Sequence, residues 1–279
     1  MSLFGQIKVG LALGGGGPRG LTHIGVIKVL ERNNIPIDYI TGSSIGAMIG
    51  GLYAATKNIN LIEQIATNNS WKNISSLFFD PSLKNGLLQG KKIENFMKDI
   101  IGNTEFKDLK IPFAAVTTDL GTGQMQVISQ GRVTDAIRAS ISIPMLFKPI
   151  QRDGRLLADG GLSSPLPVKA VKDMGADFAV GVNLYHYFPK EKIDFFRLPQ
   201  DSLTIILNNL AKFEEKQADV VICPKTESLS WGRFILGKDF ESGILLGEQA
   251  AEEQIDKIKL LLTKKKAGNF LKKIFHLKN

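Results

Sequence analysis

The stretch Ile37-Asp38-Tyr39-Ile40-Thr41-Gly42-Ser43-Ser44-Ile45-Gly46-Ala47-Met48-Ile49-Gly50 decides how this chain folds. Ile37 to Thr41 is a short apolar run of the kind a buried strand carries, and Gly46 to Lys57 reads as the helix after it. Between them lies Gly42-Ser43-Ser44-Ile45-Gly46, a G-x-S-x-G pentapeptide. Its glycines relieve crowding at a tight strand-to-helix turn, which projects the central serine from the sheet edge. Ser44 is therefore a candidate nucleophile, and Ser43 beside it reads as a hydrogen-bonding turn residue.

Working outward, Ile7 to Leu13 is a second apolar run that ends in glycines, and Leu21 to Asn33 shows helical spacing at Ile24, Val26, Ile27 and Leu30. The first 57 residues thus read strand, glycine loop, helix, strand, sharp turn, helix, an α/β unit whose sheet is covered on both faces. Helices are expected over Asn60–Asn68 and Lys91–Ile101, separated by an aperiodic segment with Trp71, Phe78 and Phe79 that either covers an active site or packs as a plain loop. Strands follow at Ile111–Thr118 and Gln124–Ser129, then a short helix at Arg132–Ser140. Arg155 to Ala158 runs into Asp159-Gly160-Gly161, and Pro167–Met174 is a helix with proline at its first turn. Strands at Phe178–Val182 and Val220–Cys223, and helices at Ser202–Glu215 and Leu245–Leu262, complete the set. With no repeat and no linker, one catalytic domain is expected over residues 5–262, followed by a basic tail over 263–279.

The 279 residues are enough for a large core, and 43% of them are apolar. The single cysteine, Cys223, excludes an internal disulfide or a zinc site of four cysteines, and reads as a buried strand residue. The N-terminus carries no pattern of a secretory leader, and the apolar runs are too short and glycine-rich to span a bilayer, so a cytoplasmic protein is expected. The net charge of +8 is confined: eight lysines and no acidic residue lie between Lys257 and Asn279, which leaves the rest formally neutral. No nucleic-acid partner is expected from such a body. The tail spacing of Ala267, Phe270, Leu271 and Ile274, with Phe275 beside them and Lys272 and Lys273 off the stripe, suits either transient contact with an anionic membrane surface through residues 264–279 or packing on the domain itself.

Gly15, Gly17 and Gly20 satisfy G-x-G-x-x-G between a strand and a helix, which is also the dinucleotide-binding context. The ribose-binding acid that should end the second strand is missing, because Asp38 falls near its start. The other use of consecutive glycines is to curve bare amides around an oxyanion at a helix N-terminus. Pro18 has no amide, so donors are sought among Gly15, Gly16 and Gly17, with Arg19 either screening charge there or capping a surface. A purely structural turn is the third reading.

The three histidines offer Ser44 no persuasive base. His23 lies inside the first helix and His276 in the basic tail, while His186 follows a strand and would complete a Ser44-Asp159-His186 triad. Asp159 itself is the better partner: it ends a strand before Gly160-Gly161, where the backbone can bend, and a carboxylate at hydrogen-bond distance can orient the serine and accept its proton. A turn-forming Asp-Gly pair is the bland alternative. Tyr185, Tyr187, Phe188, Phe195 and Phe196 cluster nearby and suit an acyl groove or ordinary packing.

Three elements in order, Gly14-Gly15-Gly16-Gly17-Pro18-Arg19-Gly20, Gly42-Ser43-Ser44-Ile45-Gly46 and Asp159-Gly160-Gly161, make the chain resemble the patatin-like phospholipases over roughly residues 5 to 225. The run Ala139-Ser140-Ile141-Ser142-Ile143-Pro144 with Phe147-Lys148-Pro149 resembles the family's segment before its aspartate. The resemblance implies a three-layer α/β/α sandwich around a mostly parallel sheet, and a Ser44–Asp159 dyad without histidine. It also implies an oxyanion hole at Gly15, Gly16 and Gly17, supported by Arg19, Gly20, Gly42, Gly46, Gly160 and Gly161. The implied activity is hydrolysis of acyl esters in phospholipid or related lipid, with no metal or organic cofactor. A nonlipid serine esterase or peptidase using His186, and a noncatalytic lipid or nucleotide binder, are the rival readings.

Overall fold

The computed structural model describes residues 7–67, 88–186, 198–235 and 240–276, the last helix with side chains to position 269 only. Eight strands form one sheet: β1 (Val9–Leu13), β2 (Tyr39–Ser43), β3 (Phe113–Asp119), β4 (Met125–Ile128), β5 (Ile150–Arg152), β6 (Arg155–Asp159), β7 (Phe178–Val182) and β8 (Val220–Ile222). The described helices are α1 (Leu21–Arg32), α2 (Ile45–Thr56), α3 (Ile59–Thr67), α4 (Lys91–Ile101), α5 (Val133–Ser140), α6 (Val168–Asp173), α7 (Leu198–Glu215), α8 (Trp231–Ile235) and α9 (Phe240–His276). The sheet order is β5-β6-β3-β2-β1-β7-β8, with β4 on β3. The central pairs β3/β2, β2/β1, β1/β7 and β7/β8 are parallel, and the pairs involving β4, β5 and β6 are antiparallel.

Alternation along β1 explains the three layers. Val9, Leu11 and Leu13 join the large core shared with α1, α2 and α9, whereas Ala12 joins a smaller core with Val168 and Val171 of α6 and Ala211 of α7. Large side chains thus fill one face and small ones admit α6 close to the other; a Cβ on Gly10 would come within 2.5 Å of Val171. The neighbouring β7 repeats the pattern, with Phe178, Val180 and Val182 on the large-core side and Ala179 opposite. A strand buried on both faces by helices is what a parallel sheet requires.

Register brings two distant segments together. β4 opposes Ala115–Thr118 of β3, while β2 opposes Phe113–Val116 and β6 opposes Thr117–Asp119. A strand has two edges, so β2 and β6 both overlap β4 only if they share the edge facing away from it. They approach along that edge from opposite ends, and their C-termini meet at adjacent positions: Ser43 opposite Val116 and Asp159 opposite Thr117.

Several boundaries differ from the sequence reading. β2 begins at Tyr39 because Asp38 is used as an anchor below the sheet, accepting from the Val9 amide at 2.8 Å and Lys8 Nζ at 2.9 Å. Cys223 is exposed, one residue beyond the end of β8, because β8 stops where its partner β7 does. The last helix starts at Phe240 and runs unbroken past Leu262 to His276. Its early turns are held by α1, with Gly247 against Thr22 and Gly25 against Ile244, and by the ion pairs Lys28–Glu248 (2.7 Å) and Arg32–Glu248 (3.1 Å). Farther along, Lys259 reaches Asn33 and Lys265 reaches Asp219. Trp71, Phe78, Phe79, Tyr187, Phe188, Phe195 and Phe196 lie outside the described residues.

Candidate active site

Ser44 is the whole of the turn between β2 and α2. Its φ of 54° and ψ of −123° lie in a region that a non-glycine residue rarely occupies, and the surroundings hold it there. A Cβ on Gly42 would sit 2.4 Å from the Ala47 amide, and one on Gly46 would sit 2.1 Å from the Leu13 carbonyl. The two glycines of the pentapeptide are therefore required by close backbone approach. The Ser44 amide donates to Ser140 Oγ at 2.9 Å, and Ser140 in turn donates to the Val116 carbonyl at 2.6 Å. Ser43, expected to hydrogen-bond in the turn, instead buries a hydroxyl that has no partner among the described residues.

Across the meeting point of β2 and β6, Ser44 Oγ donates to Asp159 Oδ2 at 2.6 Å. The other carboxylate oxygen accepts from the Gly161 amide at 2.8 Å. Gly160 turns the chain sharply here, since a Cβ on it would meet the Val116 carbonyl at 2.2 Å. Asp159 is buried, and burial pushes its carboxyl up to about 6 even though the bonds from Ser44 and Gly161 pull the other way. An aspartate so placed is a stronger base than one in water.

The glycine loop closes over the same end of the sheet. The Gly14 amide donates to the Val182 carbonyl at 3.0 Å, and the Gly15 amide donates to the Pro165 carbonyl at 2.9 Å. Gly15 is therefore corrected as an oxyanion donor, its N–H being turned into the fold. The amides of Gly16 and Gly17 make no such bond among the described residues, and Gly17 opens the short 3₁₀ turn that leads into α1. The Pro165 loop is itself fixed from α7, where Glu214 accepts from Ser164 Oγ and, at 2.7 Å, from the Leu166 amide. Gly20 lets α1 approach α2, a Cβ there lying 2.1 Å from Ile45. Arg19 Nη1 reaches the Leu184 carbonyl at 3.4 Å.

Neither His23 nor His186 is hydrogen-bonded to Ser44 or Asp159. His23 is fully buried, donates from Nε2 to the Gly14 carbonyl at 2.8 Å and is driven down to about 4 by burial, so it pins the glycine loop as a neutral ring. Neither ring nitrogen of His186 has a hydrogen-bond partner among the described residues, and Ser44 and Asp159 are bonded to each other directly. Asp38 lies at the opposite end of the sheet from the glycine loop, which removes the ribose contact a dinucleotide would need.

Beside Ser44 and Gly17 opens an apolar cleft walled by Ile45, Met48, Ile141, Ile143, Trp231 and Phe234. Trp231 and Phe234 line this cleft and the oxygen of Ser140 holds the Ser44 amide, contacts that the sequence reading did not assign. Ser140 and Ile141 lie in the run Ala139–Pro144 singled out there, whereas Trp231 carried no local signal. Among the described residues no group of three or more His, Cys, Asp or Glu could hold a metal ion, and no helix is long and apolar enough to cross a membrane.

A family model described as patatin-like phospholipase matches residues 11–172. An uncharacterised NTE-family protein of Mycobacterium tuberculosis is 42% identical over 178 residues, 63% of this chain and 49% of that protein. The lysophospholipase NTE1 of Scheffersomyces stipitis is 38% identical over 182 residues, 63% of this chain and 12% of its own. The chain thus spans about half the length of the mycobacterial relative and far less of the yeast one. Among solved structures, VipD from Legionella pneumophila superimposes with a TM-score of 0.54 at 14% identity, over 91% of this chain and 67% of that one, a likeness of fold.

Proposed function

Because this chain belongs to the patatin-like phospholipase family, we propose that it is a serine-dependent acyl hydrolase that cleaves carboxylic esters of phospholipid or lysophospholipid through a Ser44–Asp159 dyad. The observation that carries this reading is the direct 2.6 Å bond from Ser44 Oγ to a buried carboxylate. Asp159 takes the serine proton as Oγ attacks the ester carbonyl. The amides of Gly16 and Gly17 receive the oxyanion at the start of the helical turn. Asp159 then returns the proton to the departing alcohol, and water activated by the same carboxylate releases the fatty acid from Ser44. The apolar cleft supports a lipid acyl chain over a small polar ester. The yeast relative is a lysophospholipase, which makes lysophospholipid the first substrate to try. In this reading the protein works at the cytoplasmic face of a membrane, touching anionic lipid through the lysines of residues 264–279, and no metal or organic cofactor takes part.

The test is incubation with a mixed lipid extract, comparing fatty acid released by the intact protein with that released by Ser44→Ala and Asp159→Asn. Both variants are expected to lose roughly 10⁴-fold or more in rate. Fluorophosphonate labelling of Ser44 should accompany activity. A folded Ser44→Ala that still hydrolyses at the unmutated rate would remove the proposal, and abolished turnover in His186→Ala, with Asp159→Asn only slowed, would transfer it to a Ser44-Asp159-His186 triad.

A further inference from the structure

The dyad mechanism leaves one developing charge with a single donor, the protonated Asp159. As the tetrahedral intermediate collapses, negative charge grows on the alcohol oxygen, while the amides of Gly16 and Gly17 serve the carbonyl oxygen and that of Gly15 is already committed to Pro165. Tyr185 stands where a further donor could reach. Its hydroxyl lies 3.2 Å from the position a Cβ on Gly15 would take and 3.6 Å from that of a Cβ on Gly161. Ser44 Cβ is 3.4 Å from the first of these points and Asp159 Oδ1 is 3.0 Å from the second. The phenol is therefore beside both members of the dyad, admitted by the missing side chains of two glycines.

Its hydroxyl makes no hydrogen bond to the described residues, whereas its backbone is fixed: the Tyr185 amide donates to Asn183 Oδ1 at 2.7 Å, and Asn183 Nδ2 donates to Glu215 at 2.7 Å. Burial first, and then the charge of Asp159, hold the phenol above its ordinary range, with Arg19 opposing weakly, so the group stays protonated. The site is also two-sided. The apolar cleft beside Ser44 is walled by Met48, Ile143, Trp231 and Phe234, and Tyr185 is not part of it. Tyr185 instead shares the space over Gly161 with Leu207. With the acyl chain in the cleft, the alcohol half of the ester is directed toward the Tyr185 wall.

We propose that the Tyr185 hydroxyl is a catalytic residue that donates a hydrogen bond to the leaving oxygen of the ester. This rests on the hydrolase reading above. In the step, the bond from the carbonyl carbon to the alcohol oxygen breaks and its electron pair passes to that oxygen. The proton that Asp159 took from Ser44 is transferred to the same oxygen, and the alcohol leaves. Tyr185 keeps its own proton throughout and lowers the barrier by stabilising the charge before transfer is complete.

The test compares Tyr185→Phe with the intact protein on two esters of one fatty acid, an alkyl ester and a nitrophenyl ester. Help to the leaving oxygen matters for a strongly basic alkoxide and little for nitrophenolate, so kcat/KM should fall by about 10- to 100-fold on the alkyl ester and by less than about 2-fold on the nitrophenyl ester. Fluorophosphonate labelling of Ser44 should keep its rate, which shows the dyad and the fold intact. Equal losses on the two esters, or no loss on either, overturn the assignment of Tyr185. A fluorinated tyrosine at 185 keeps the shape of the ring and strengthens the donor, so an unchanged alkyl-to-nitrophenyl ratio there overturns it too. If the intact protein hydrolyses neither ester and Ser44 is not labelled, the hydrolase reading itself falls; if Ser44-dependent turnover is present and the ratio does not move, only Tyr185 does.

Discussion

A carboxylate that must take a proton from a hydroxyl works poorly at its ordinary acidity, and in the proposed dyad Asp159 is brought nearer to the task by burial at the junction of β2 and β6. The ionised form is the one that accepts, so turnover should rise with pH through about 6 and level off above it. Tyr185 is held above its ordinary range and adds no alkaline limb, and His23, driven down to about 4, is already neutral across that transition. Measuring kcat/KM on the nitrophenyl ester from roughly pH 4 to 9 checks this, and a profile that stays flat down to the ordinary aspartate range of about 4 would take Asp159 out of the proton transfer. At this scale the sequence showed Ser44 and Asp159 because each sits in a short glycine-flanked motif at a strand end. It held Ser140 only within the run Ala139–Pro144 and Tyr185 only within an aromatic cluster, and could not show their contacts, which reach the site from 96 residues away and from the loop after β7. Nor could it show which glycine amide is free, since Gly15 loses its amide to a carbonyl from the far side of the sheet.

Between elements, the most exacting contact is the crossing of α1 and α9. A Cβ on Gly247 would lie 2.0 Å from the Thr22 carbonyl, and one on Gly25 would lie 2.0 Å from the Ile244 carbonyl. Two opposed effects meet in Gly247→Ala: alanine favours the helix by about 1 kcal/mol, while backbone atoms at that distance must be pushed apart. The second dominates because no side-chain rotation relieves it. We expect Gly247→Ala to lower stability by about 1–3 kcal/mol, read as a lower urea midpoint at unchanged slope. Gly268→Ala in the same helix meets nothing within 4 Å and should be neutral or stabilising. A stabilised Gly247→Ala would show that the two helices are not in contact as described. This crossing also explains why α9 was read as starting at Leu245: Gly243 and Gly247 weaken a local helical pattern that packing on α1 restores. The burial of β1 on both faces, by contrast, was readable, because a short continuous apolar run bounded by glycines is local to the sequence.

For the molecule as a whole, the direction of α9 separates the catalytic end from the basic end. The helix begins beside Leu21, at the end of the sheet that carries Ser44, and by Lys265 it has reached Asp219 at 3.1 Å, just before β8 begins at the opposite end. At 1.5 Å per residue that path is about 33 Å long. Charge and chemistry were both legible in the sequence, yet their separation was not, because it depends on α9 being one continuous rod packed along α1. After Leu262 the side chains are exposed through position 269 apart from Lys265, which is held by Asp219. Lysines so placed can tether the protein to an anionic surface without presenting the Ser44 cleft to it. Replacing Lys264, Lys266, Lys272 and Lys273 by glutamine should therefore weaken binding to anionic vesicles by roughly 10²–10³-fold at low salt, about 1 kcal/mol per lysine. The same binding by the unmutated protein should fade as salt shortens the screening length to about 3 Å at 1 M. Hydrolysis of a dispersed short-chain ester should be untouched, because the backbone of α9 runs away from the Ser44 end of the sheet before it reaches these positions. Vesicle sedimentation alongside that assay decides the matter: binding that survives the substitutions assigns membrane contact to another surface, and a parallel loss of dispersed-ester hydrolysis would show that the two ends of the molecule are coupled.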